Sequence, residues 1–95
     1  MRQKREPWWA PYARLDLKGG ELITISEDDQ DMLEIRWPDG SMIDLGYLEE
    51  KGMYEITTVA SDDVEGWRQP LSIVDVQERA ALPEKLQATI DSLVT

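Results

Sequence analysis

Any chemistry in this chain falls to carboxylates, amines, hydroxyls and aromatic rings, because its 95 residues include no cysteine and no histidine. That removes the thiolate nucleophile, the disulfide, the usual proton carrier near neutral pH and the commonest transition-metal ligand. Paired carboxylates can serve as acid and base when burial separates their pKa values. Most acids here fall in turns or on strand positions facing solvent, where such separation is not expected. No nucleophile elbow, phosphate-binding loop, dinucleotide fingerprint or S-x-x-K motif is present. The chain reads as non-catalytic, with no cofactor and no metal.

Two acidic turns, "SEDDQD" (26–31) and "SDDVEG" (61–66), invite a calcium reading. A calcium loop needs oxygen ligands at positions 1, 3 and 5, glycine at 6 and a carboxylate at 12. Counted from Ser61, position 12 is Ser72; counted from Asp28, position 6 is Leu33. Both fail, and Asp and Ser are also ordinary turn residues.

Aromatic residues are the stronger signal. "PWWAPY" places Trp8, Trp9 and Tyr12 around two prolines, which keep the segment out of a helix. If it is extended, Trp8 and Trp9 point in opposite directions, so one covers the sheet and the other is free for a partner. Trp67 and Arg68, in the long acidic connection 61–70, form a second contact site, since Trp and Arg dominate interface energetics. Glu34 and Asp44 form a third: they are set directly opposite one another, a repulsive pairing that suits a face kept for a basic partner.

Charge agrees with that reading. Net charge is −10. Residues 1–14 carry four basic and one acidic residue, +3, and residues 15–95 carry six basic and nineteen acidic, −13. Such a body repels phosphate backbones and anionic lipid, which excludes nucleic acid and membrane as expected partners. The expected partner is a protein, basic by complementarity, or a second copy in a homodimer. No run approaches the roughly 20 apolar residues of a membrane span, and no apolar stretch follows the basic start as in a secretory signal. A cytoplasmic, bacterial protein is the expectation.

Elements must position these residues. Pro38-Asp39-Gly40 suits a tight turn that pairs Trp37 with Ser41, Ile35 with Ile43 and Leu33 with Leu45. "EEKG" then pairs Leu48 with Met53, Tyr47 with Tyr54 and Leu45 with Ile56. Both turns put the apolar partners on one face, which fixes a three-stranded meander over 32–60. Gly19-Gly20 suits an earlier hairpin pairing Leu17 with Leu22. "LSIVDV" reads as a further strand. "LPEKLQATIDSLVT" reads as a helix, with Pro83 in its first turn and a stripe of Leu82, Leu86, Ile90, Leu93 and Val94.

The fold class expected is α+β, an antiparallel β-meander of five to six strands with one C-terminal helix on a face. A basic, extended arm (1–13) precedes a single acidic domain (14–95). Three functions compete. The first is an interaction domain, self-associating through the arm. The second is a small acidic inhibitor of antitoxin or immunity type that masks a basic surface. The third is a small-ligand binder or minor enzyme in a sheet–helix cleft, which buried, unpaired polar groups in a pocket would favour.

Overall fold

A computed structural model describes residues 6–94. Its centre is a five-stranded antiparallel sheet in sequential order: β1 (Glu21–Thr24), β2 (Leu33–Arg36), β3 (Met42–Leu48), β4 (Met53–Val59) and β5 (Ser72–Val76). A short helix, α1 (Val64–Arg68), lies in the β4–β5 connection, and α2 (Leu82–Leu93) closes the chain. The α+β meander with one C-terminal helix is therefore observed.

Register follows the alternation of side chains. Leu33 pairs with Leu45 and Ile35 with Ile43, while Tyr47, Leu45 and Leu48 pair with Tyr54, Ile56 and Met53. Gly40 takes the positive φ of 94° that its turn requires. Leu33, Ile35, Ile43, Leu45, Tyr54 and Ile56 share one face and meet Leu82, Leu86 and Ile90 of α2 in one buried cluster. Pro83 stands in the first turn of α2, where its missing N–H costs nothing. Leu93 and Val94 pack half-buried against the same cluster.

The Gly19-Gly20 hairpin does not form. Lys18 and Gly19 make a turn with φ of 52° and 91°, closed by the Gly20 N–H donating to the Leu17 carbonyl. Residues before it do not pair with β1, because α2 holds them: Gln87 exchanges two hydrogen bonds with the Asp16 backbone, and Lys18 pairs with Asp91 at 2.8 Å. β1 instead pairs with β2 across the 25–32 connection. There Met32 and Leu33 share Leu45 as partner, because the Met32 N–H donates to the Leu45 carbonyl. This bulge turns Met32 inward and buries it.

The arm is not extended either. From Pro7 to Arg14 it coils through successive turns into a 3-10 helix at Tyr12–Arg14, with the N–H groups of Tyr12 and Ala13 donating to the Trp9 carbonyl. Prolines at 7 and 11 allow this because their φ suits the start of a helical turn. The basic residues Arg2, Lys4 and Arg5 lie outside the described residues.

Candidate functional site

The two faces of the sheet separate the predicted contact residues. Trp8 and Tyr12 pack on the α2 side. Tyr12 is fully buried in the main cluster, and Trp8 packs half-buried against it, edge to face at 6.3 Å. Trp9 is 40% exposed. The split foreseen for the two indoles holds, but through the roughly 100° step of a helical turn rather than strand alternation. Arg79 anchors this end, with Glu27 at 2.6 Å and Asp28 at 3.0 Å, and Asp28 also accepts from the Tyr54 hydroxyl. The arm therefore packs onto its own chain.

Glu34 and Asp44 lie on the opposite, helix-free face, and Trp67 is tied to it through Asp62 and Arg36, whereas Arg68 pairs with Glu65 within α1. Pleating sends Ile23, Glu34, Asp44, Thr57 and Ile73 to it in one row across all five strands. Glu34 does face Asp44, and a second opposed acidic pair, Glu55 and Asp75, lies on the neighbouring row. Arg36 answers the first pair, donating two hydrogen bonds to Glu34 Oε2 and lying 3.6 Å from Asp62. Lys51 answers the second, 3.3 Å from Glu55 and 3.9 Å from Asp75.

Asp44 is half-buried, with acids from two flanking segments, Asp31 and Asp62, near it. On one side the 25–32 connection crosses the face: Tyr47 N–H donates to Asp29, and a Cβ on Gly46 would stand 1.9 Å from the Gln30 carbonyl oxygen. Only glycine admits that approach. On the other side the chain after β4 folds back and brings Asp62 to Arg36. Burial, followed by the charges of Asp31, Glu34, Glu55 and Asp62, pushes the Asp44 carboxyl up to about 7. Asp44 is thus an exception to the expectation that most acids here, in turns or on solvent-facing strand positions, are not so displaced. The sequence placed Asp44 correctly on the face but gave no sign that a loop would cover it.

Turn acids at 61–66 have local work. Asp63 caps α1 by accepting from the Gly66 N–H at 2.8 Å, and Ser61 Oγ donates to the same carboxylate. Both hydrogen bonds hold the Asp63 carboxyl below its ordinary value. Asp62 accepts from Trp67 Nε1 at 2.7 Å, and Arg68 pairs with Glu65 at 3.1 Å. The stretch read as a loop is therefore a capped helical turn that presents Trp67, 40% exposed, and Val64, 70% exposed.

Leu71 and Ile73, more than half exposed, extend the apolar surface along β5. Sequence reasoning missed both, and Asp75 with them. The i, i+2 alternation of "LSIVDV" was the available signal, but the untypical 61–70 connection left the β5 register open. Comparison with known proteins gives no guide: no family model, no curated protein and no solved structure matches the chain.

Proposed function

We propose that this chain is a non-catalytic protein-interaction domain that uses the helix-free face of its sheet to mask a basic protein surface, as a small acidic inhibitor would. One observation carries the reading. Asp44, a half-buried carboxylate ringed by other acids, shares a face with the exposed side chain of Ile73, and the exposed Trp67 is tied to that face through Asp62 and Arg36. A cationic partner that docked there would relieve the opposed acidic pairs and cover apolar surface in one step. Absence of cysteine fits a reducing cytoplasm, and net charge of −10 disfavours nucleic acid. Self-association through the arm is less favoured, because the buried Tyr12 would first have to leave its own core.

A peptide of alternating lysine and leucine, titrated against the labelled protein by NMR, tests this reading. The expected result is shifts confined to the helix-free face. Affinity should fall at least about tenfold between 0.05 and 0.5 M salt, as screening removes the charge term. It should rise with pH through 7 as Asp44 ionises. Shifts on α2 or the arm, or affinity indifferent to salt, would overturn the proposal.

A further inference from the structure

On the α2 side of the sheet, behind the proposed contact face, a cleft of about 560 Å³ opens between β5 and the second half of α2. Thr58, Ser72, Thr89 and Lys85 line it, with Leu71, Val74 and Leu93 supplying apolar surface. We propose that this cleft binds a small carboxylic acid with a short apolar body. The site and its ligand class are independent of the reading for the opposite face.

Two observations point to an acceptor. The Thr58 side chain is 97% buried, as its 3% exposure states, and its hydroxyl has no hydrogen-bond partner. Among the described residues it is the one buried side-chain polar atom left so. A valine would fill the same volume without the cost of an unpaired hydroxyl. Lys85 is the second. The other basic side chains among the described residues, Arg14, Lys18, Arg36, Lys51, Arg68 and Arg79, each hold a carboxylate. Lys85 holds none among those residues, in a chain with 20 acids.

Two donors, the Thr58 hydroxyl and the Lys85 ammonium, thus line the cleft without an acceptor among the described residues. A carboxylate supplies acceptors for both: one oxygen accepts from the Thr58 hydroxyl and the other meets the Lys85 ammonium. Charge-assisted bonds of this kind are the stronger class. The ligand would reach the buried Thr58 hydroxyl by moving the short side chain of Ser72, which is opposite Thr58 in the ladder and exposed. The ligand's apolar body then lies on Val74 and Leu93. A cleft of this size is within the range of small-molecule sites.

The test uses sodium hexanoate on the full chain, with hexylammonium as the cationic control, followed by amide chemical shifts. Hexanoate is expected to give saturable shifts at residues 58, 72, 85 and 89, and hexylammonium none. Lys85→Gln should weaken hexanoate about tenfold, the loss of one charged contact. Thr58→Val should weaken it while raising the thermal midpoint, which separates lost binding from lost folding. No saturable shift at the cleft in the millimolar range overturns the proposal. So does undiminished hexanoate binding by both variants.

Discussion

The two faces of this sheet are built on the same ladder and held by different forces. On the α2 face, the row Leu33, Leu45, Ile56 and Val74 is apolar throughout and sits against the helix. One residue along each strand, the row Glu34, Asp44, Thr57 and Ile73 puts two carboxylates side by side. Burying one large apolar side chain contributes about 1.5–3 kcal/mol, whereas an opposed like-charge pair costs roughly 0.2–1 kcal/mol. The apolar face therefore sets the register, and the acidic face accepts the register it is given. A slip of one residue would exchange them and bury the acids.

That asymmetry is tested most strongly from the helix. Leu86→Ala, at a fully buried position of α2, should lose about 2–5 kcal/mol in urea denaturation, by transfer and cavity together. Ile73→Ala on the other face should change stability by no more than about 0.5 kcal/mol. Similar losses for both would mean the exposed row carries more of the fold than its surroundings indicate.

Gly46→Ala probes the cover over Asp44. Its new Cβ would meet the Gln30 carbonyl, a backbone atom that can move only if the 25–32 connection moves with it. A loss of about 1–3 kcal/mol is expected from this overpacking. With the loop lifted, Asp44 should regain solvent and its carboxyl should titrate lower, as read from its carboxyl carbon resonance. A stable variant with unchanged titration would show that the loop is not what buries Asp44.

Asp44→Asn gives a smaller effect with a definite sign. The folded carboxyl titrates at about 7 and the unfolded one near 3.8, so the folded state binds the extra proton between those values. That contribution is present in full below the unfolded value and is lost as pH rises through 7. Three units set a ceiling of about 4 kcal/mol, and residual solvent contact reduces it to about 1–2 kcal/mol. The asparagine variant should therefore be more stable than the parent at pH 8 by about that amount, with a flatter profile from pH 4 to 8. Equal slopes for the two proteins in urea titrations across this range would remove the argument.

Legibility in the sequence followed the same division. The β2–β3–β4 register was readable because two short turns with defined chemistry, Pro38-Asp39-Gly40 and Glu49-Glu50-Lys51-Gly52, each count residues across a ladder, and their counts agree. The α2 stripe was readable from Leu82, Leu86 and Ile90 at helical spacing. What failed depended on long-range partners. Gly19-Gly20 has hairpin chemistry, but Gln87 and Asp91, some seventy residues away, hold the strand it would have needed. Trp8 and Trp9 were assigned opposite directions for the wrong backbone. Asp44 was placed on its face, yet its displaced titration depends on the 25–32 connection crossing that face, which no local pattern encodes.

Small stability effects give the sharpest contrast in function. Trp9 and Trp67 are equally exposed, at 40% each, and belong to the arm and to α1 respectively. Truncating either to alanine should cost less than Leu86→Ala, about 1 kcal/mol, since neither ring belongs to the core cluster. Trp67 has one further bond, from Nε1 to Asp62, which also keeps that carboxylate beside Arg36 and within the field acting on Asp44. Trp67→Ala should therefore weaken the lysine–leucine peptide at least about tenfold, the behaviour of an interface anchor. Trp9→Ala should leave that affinity unchanged, because no contact of Trp9 among the described residues reaches the acidic face. If Trp9→Ala instead gave the larger loss of affinity, the arm rather than the acidic face would be the surface that meets a partner.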